Sequence, residues 1–260
     1  RYNEQALTFA TFNLRKTMKI QHLLFLGMVF IIGCVKTSEE FFELSQNNLK
    51  NNQTDLAIKD LQSLLDKYPT DSIASHAQYK LSSIYLNYKN DMELGLSALK
   101  STVENYGNSI HGKQAQDEIN QFPEYVINKA ESLRKRKMVK EAVDALMFMV
   151  KEFANDRSSA KGQYMLGDIY MNDLRDFDVA IQEYRKVINN YSGSEQEPHA
   201  QFMIGYIYAN IINDSNSAKV EYQKFLKTFP NHELAPSVKF EIEYLGKSIE
   251  DIPALKHITS

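Results

Sequence analysis

Glycine and proline are scarce in this sequence, at 10 and 6 of 260 residues; tryptophan is absent and cysteine occurs once. An average chain carries about twice that share of glycine plus proline. The tight turns of sandwiches, barrels and doubly wound sheets consume both residues, because they need a positive or preset φ. The shortage therefore points to an all-α chain. A single cysteine excludes an intramolecular disulfide and any metal site built on several thiolates. A net charge of −3 lacks the basic excess of nucleic-acid-binding domains, so no nucleic-acid partner is expected. Apolar and aromatic residues are plentiful: 43% of the chain is hydrophobic, with 15 Tyr and 14 Phe to fill a core.

Met18, the expected start, opens the run MKIQHLLFLGMVFIIGC. Lys19, the apolar stretch Leu23 to Ile32 and small Gly33 before Cys34 have signal-peptide anatomy. The stretch is shorter than the roughly 20 apolar residues a spanning helix needs. Ile31-Ile32-Gly33-Cys34 resembles the lipobox of bacterial lipoproteins, with Ile where Leu is commoner, and the sole cysteine falls where the motif requires it. The resemblance implies removal of 1–33, a diacylglycerol and acyl anchor on Cys34, and a short lipidated linker over 34–37. No other cofactor is expected. An uncleaved anchor or a free thiol is the alternative. The leader holds four basic residues and one acidic, so its loss leaves 26 Lys and Arg against 32 Asp and Glu, a net −6. That sign does not attract an anionic bilayer, which leaves the acyl chains to hold the protein there.

An aromatic followed by small and polar residues recurs at Tyr68, Tyr106, Phe153, Tyr191 and Phe229, at intervals of 38, 47, 38 and 38. Eleven residues before each stands Ala57, Gly95, Ala142, Ala180 or Ala218, and nine after stands Ala77, Ala115, Gly162, Ala200 or Val238. Four and seven positions further lie Leu81, Ile119, Leu166, Ile204, Ile242 and Ile84, Phe122, Ile169, Ile207, Leu245. This i, i+4, i+7 period makes each repeat a pair of antiparallel amphipathic helices.

The pattern resembles the tetratricopeptide repeat. Phe41, Leu44, Ser45, Ala57, Leu61, Leu64 and Pro69 take its positions in the first unit, and Gln163-Leu166-Gly167-Tyr170 and Gln201-Ile204-Gly205-Tyr208 take them later. Asn48 and Leu64 depart from the usual Tyr and Ala. The resemblance implies an all-α, right-handed solenoid of about five helix pairs plus a capping helix. The irregular 47-residue interval contains Pro123, which cannot donate to a helix ladder. A helix over 109–121 is expected to end there and an additional one to begin near Pro123. This divides the array into 38–122 and 123–248, with the cap over 234–248 and a loose tail over 249–260.

No catalytic motif is present, and the protein is expected not to be an enzyme or to take a small-molecule substrate. The six histidines never pair at i, i+3 or i+4, so no helical metal site is expected, although a histidine of one repeat can still meet one of the next. In tetratricopeptide arrays the first helix of each pair lines a groove. Carried onto this chain, the groove positions are His76, Tyr79, Ser83 and Asn87 in one repeat. The matching sets are Lys161, Tyr164, Asp168 and Asn172, and then His199, Phe202, Tyr206 and Asn210. Two readings stand open: anchors for a peptide segment, or aromatics packed between repeats and asparagines that end helices. The run Arg134-Lys135-Arg136-Lys137 is either a solvated helix terminus facing the dipole or a docking patch for an acidic partner.

The plan of a lipobox followed closely by tetratricopeptide pairs resembles the BamD family of outer-membrane β-barrel assembly lipoproteins. It implies the periplasmic face of the outer membrane and a barrel-forming partner. Val35 after the cysteine agrees with outer-membrane sorting under the proteobacterial rule. A coordinator associated with the Tol–Pal system and cell division, or a lipoprotein subunit of a cell-wall or secretion complex, is the alternative.

Overall fold

Apolar residues at helical spacing build helices throughout residues 36–247, the part of the chain that the computed structural model describes. The elements are α1 (Ser38–Lys50), α2 (Thr54–Lys67), α3 (Ala74–Ile84), α4 (Met92–Tyr106), α5 (Ile110–Lys135) and α6 (Val139–Glu152). They continue as α7 (Ser159–Ile169), α8 (Phe177–Asn190), α9 (Gln196–Ile207), α10 (Ser215–Thr228) and α11 (Ala235–Tyr244). No strand occurs among the described residues, and the fold is all-α. No helix there is long and apolar enough to cross a membrane. The leader, Cys34 and the 249–260 tail lie outside the described residues.

The chain divides into two compact units at Asn90 and Asp91. In the first, α1 packs on α2 and α2 on α3; in the second, each of α4 to α11 packs on the next. Such nearest-neighbour packing is how a helical-repeat protein buries faces that one hairpin cannot bury alone. The repeat columns form the core: Ala57, Ala142, Ala180 and Ala218 are fully buried, as are Ala77, Ala115, Ala200 and Val238. Small side chains at these positions let helix backbones approach closely. The outer members of the columns, Ile119, Ile242 and Leu245, are only half-buried. The expected cap is shorter than 234–248, because α11 ends at Tyr244.

Two connections recur. In the turns that follow α1, α3, α5, α7 and α9 the chain passes through one left-handed residue, and Asn52, Asn90, Lys137, Arg175 and Asn213 fill these positions with φ between 53° and 63°. After α3, α7 and α9 the last turn widens into a π-helix, at Tyr85–Lys89, Tyr170–Leu174 and Tyr208–Ile212. The Tyr170 and Tyr208 carbonyls accept the N–H groups of Arg175 and Asn213 and then of Asp176 and Asp214. The Asp91, Asp176 and Asp214 side chains cap α4, α8 and α10. Asn87, Asn172 and Asn210 therefore sit inside widened turns; the residues that end them are the left-handed ones three positions on.

Between hairpins, each repeated aromatic accepts at its carbonyl from the N–H three residues later. The donors to Tyr68, Tyr106, Phe153, Tyr191 and Phe229 are Asp71, Ser109, Asp156, Ser194 and His232, at 2.7 to 3.2 Å. In this column Asp71, Asp156 and His232 also accept through the side chain from the N–H two residues on.

The helix expected to stop before Pro123 does not stop. Instead, α5 runs 26 residues with Pro123 inside it, and the extra length of the 47-residue interval is continuous helix. Interior proline costs a helix about 3 kcal/mol, but the surrounding face is deeply packed. Phe122, Val126, Ile127 and Ala130 are at most 2% exposed. The Phe122 ring stacks on Phe153 at 5.7 Å and meets Phe148 edge-on at 6.4 Å. Burying one such aromatic and two aliphatics outweighs one missing hydrogen bond.

Candidate binding surface

The two complete groove sets of the second unit lie on α7 and α9 and their π-turns. Tyr164 rests on the Tyr184 ring at 5.3 Å and on the edge of His199 at 6.5 Å. Phe202 lies 6.0 Å from Tyr222 and 6.3 Å from Tyr206. The aromatics thus pack against the following helix while remaining half exposed. Asn172 and Asn210 are exposed, and each donates its amide to the carbonyl four residues back, Asp168 at 3.0 Å and Tyr206 at 3.3 Å. Lys161 faces Glu131 at 3.7 Å. In the first unit His76 packs on Phe42 at 4.5 Å, Tyr79 and Ser83 are half-buried, and Asn87 is exposed.

Beneath Tyr164 lies a polar cluster that periodicity alone does not reveal. The fully buried Tyr184 donates its hydroxyl to Asp168 Oδ1 at 2.6 Å. Arg134 Nε meets Asp173 Oδ2 at 2.5 Å. Burial pushes the Asp168 carboxyl above its usual range, partly offset by the Tyr184 hydroxyl and the Arg134 charge. Burial, with Asp168 alongside, pushes both Tyr164 and Tyr184 upward, so their phenols stay protonated at neutral pH. The basic run is thereby divided: Arg134 is held by Asp173, whereas Lys135, Arg136 and Lys137 are exposed at the C-terminus of α5. That end carries negative helix-dipole charge, which suits cations.

A second pattern recurs with the 38-residue spacing. Gln163 donates to the buried Glu183 carboxylate, and Gln201 donates to Glu221 Oε2 at 3.0 Å and to its carbonyl at 3.1 Å. Lys186 and Lys224 pair with these carboxylates at 2.6 and 3.0 Å, and Arg185 reaches Glu221 from the preceding hairpin at 3.0 Å. Beside them, Gly167 and Gly205 lie so close to the Tyr184 and Tyr222 rings that an added Cβ would fall 2.6 and 2.5 Å from ring carbons.

His199 and His232, which no spacing along one helix pairs, come together. Their rings meet edge to face at 5.4 Å, and with Glu233 they hold potential ligand atoms within 4.8 Å of one another. No spacing within a single helix could reveal this group, because its members stand 33 residues apart.

The tetratricopeptide repeat model matches residues 41–71, 162–194 and 199–232. No curated protein matches the chain significantly. Solved structures with similar folds include a tetratricopeptide repeat protein from Parabacteroides merdae, 13% identical over 80% of this chain and 72% of its own, with a TM-score of 0.34. YrrB, a tetratricopeptide protein with an unusual peptide-binding site, is 18% identical over 77% and 90%, with a TM-score of 0.36. MamA from Desulfovibrio magneticus is 17% identical over 75% and 97%, with a TM-score of 0.34. Three stretches of the all-α fold thus match tetratricopeptide repeats, a repeat type that implies a scaffold for protein–protein interaction.

Proposed function

We propose that this chain is a lipid-anchored periplasmic scaffold that holds a protein segment along the face of α7 and α9 and serves outer-membrane β-barrel assembly. One observation carries the binding surface. Two consecutive repeats present the same series in the same register: a half-exposed aromatic, a polar residue one turn on, and an exposed amide in a π-turn. Aromatic anchors beside adaptable amides suit an extended or helical segment of a partner. The lipobox over Ile31 to Cys34 supports the anchor, and the order of lipobox then repeats supports the assembly role.

A photocrosslinking residue at position 172 or 210 of the lipidated protein is expected to capture a barrel-forming partner. Depletion is expected to lower outer-membrane barrel proteins. Normal barrel levels with disturbed septation would overturn the assembly role in favour of a cell-division coordinator. Cys34→Ser is expected to abolish acylation and release the protein from the membrane fraction; unchanged fractionation would remove the anchor. Changing Lys135, Arg136 and Lys137 together to Gln tests the basic patch while sparing the Arg134–Asp173 pair. Unchanged partner affinity and salt dependence would eliminate that patch as a docking surface.

A further inference from the structure

We infer that His199, His232 and Glu233 form a site for a divalent metal ion of the Zn2+ class, which clips the start of α9 to the connection between α10 and α11. His199 belongs to the first turn of α9, and His232 and Glu233 to the loop that leads from α10 into α11. The ligand atoms of all three lie within 4.8 Å of one another. A tetrahedral ion with bonds of roughly 2.0–2.1 Å draws its ligands to within about 3.4 Å of each other. The required movement falls on the exposed side chain of Glu233 and on the loop. Two imidazoles, one carboxylate and an open fourth position make a donor set suited to zinc and to neighbouring late transition metals, rather than to calcium or magnesium.

Three further observations point to a ligand here. The residues line a cleft of about 500 Å³, whose wall also includes Gly193, Ser194 and Pro198. The Ser194 hydroxyl oxygen on that wall is shielded from solvent and has no hydrogen-bond partner among the described residues. His199 has ring contacts with Tyr164 and His232, and no hydrogen bond among the described residues occupies either of its nitrogens. His232 differs in that its Nδ1 accepts from the Leu234 N–H at 3.2 Å. The other nitrogen of a metal-bound neutral imidazole carries a proton. Ligation by His232 therefore gives up this one long bond, and the Leu234 N–H then turns to water at the loop surface.

The aromatic floor explains how the site is held. The His232 ring lies edge-on to Phe225 at 5.9 Å and near Phe229 at 6.5 Å. These contacts fix the loop against α10, so that an ion bridging to α9 closes the open end of the α9–α10 hairpin onto the connection into α11.

The test uses the full chain titrated with ZnCl2 and, separately, CoCl2. One equivalent is expected to bind, Co2+ is expected to give the electronic spectrum of a four-coordinate ion, and unfolding is expected to shift to higher temperature with added Zn2+. His199→Ala and His232→Asn should each lower affinity by about a hundredfold or more. Asn at 232 retains an oxygen to accept from the Leu234 N–H, as the aspartates do at 71 and 156, so the metal-free variant should unfold near the parent. Glu233→Gln should weaken binding by a smaller factor, while His76→Ala should leave it unchanged. Absence of saturable binding, or parental affinity in both histidine variants, would overturn the site.

Discussion

The Tyr184 hydroxyl donates to Asp168 across the interface between α8 and α7, and it is the only side-chain donor to that carboxylate among the described residues. Removing it by Tyr184→Phe leaves a largely buried charged group short of a partner. Stability is expected to fall by about 1–3 kcal/mol, read from urea unfolding. An unchanged midpoint would show that water replaces the phenol without cost.

Asp168 and Glu221 are expected to respond to pH in opposite directions. Burial raises Asp168 above its value in the unfolded chain, so the native state binds its proton more readily, and this group weakens the fold as pH climbs from about 3.8 through the raised value. Burial also acts upward on Glu221, but hydrogen bonds from Gln201, Arg185 and Lys224 outweigh it and lower the carboxyl overall. Its stabilisation is present above about 4.5 and is lost as pH falls through the lowered value. Stability curves of Asp168→Asn and Glu221→Gln against the parent, from pH 3 to 7, should therefore diverge at opposite ends. The same slope change in both variants would refute this assignment.

Gly167 and Gly205 are held by the tyrosine rings beside them rather than by backbone conformation. Gly205→Ala should cost about 1–3 kcal/mol, since the new methyl would overlap the Tyr222 ring. Combining it with Tyr222→Leu should cost less than the two single changes added together, because Leu vacates the overlap. Strict additivity in the double-mutant cycle would exclude a direct clash.

Phe122 holds α5 intact across its proline. Phe122→Ala should cost about 3–5 kcal/mol as a cavity opens beside Phe153 and Phe148. Amide exchange over residues 116–122 should accelerate more than over 126–133. Uniform acceleration would show that the proline is tolerated without help from this packing.

The five left-handed turn residues are Asn, Asn, Lys, Arg and Asn. The Lys137 and Arg175 side chains make no local hydrogen bond among the described residues, and the left-handed region costs a typical residue about 1–2 kcal/mol. Lys137→Gly and Arg175→Gly should each raise stability by up to about 1 kcal/mol, measured as a higher urea midpoint. A lower midpoint would mean that the side chain contributes more than the strain removes.

Much of this fold is legible in the residues. The recurring aromatic locates the inter-hairpin loops because its carbonyl anchors the turn, and the columns of small residues mark the fully buried helix contacts. The continuity of α5 is also written in the chain: Ala115, Phe122, Val126 and Leu133 keep one apolar stripe at spacings of 7, 4 and 7 across Pro123. The local penalty of proline overstated the break, since tertiary burial can exceed it. The scarcity of glycine does indicate helices, but it does not mean that left-handed positions are few; among the described residues five non-glycine residues take them, besides Gly193 and Gly246. The Tyr184–Asp168 and Arg134–Asp173 pairs were less accessible, because partners 16 and 39 residues apart meet only once helix phase and turn geometry are both known. The buried Gln–Glu pairs were within reach, since Gln163 with Glu183 and Gln201 with Glu221 share one separation of 20 residues. The His199, His232 and Glu233 group needed three-dimensional placement.

Both kinds of connection in this protein have a fixed length. One is closed by carbonyls that accept from the left-handed residue or its successor, and the other by an aromatic carbonyl that accepts from the N–H three residues on. Neither leaves slack for an extra residue without breaking a bond that the next helix start depends on. Variation in chain length is therefore pushed out of the surface turns, where proteins ordinarily absorb it, and into whole turns of helix. Within the second unit growth is visible only as the longer helix between Ile110 and Lys135.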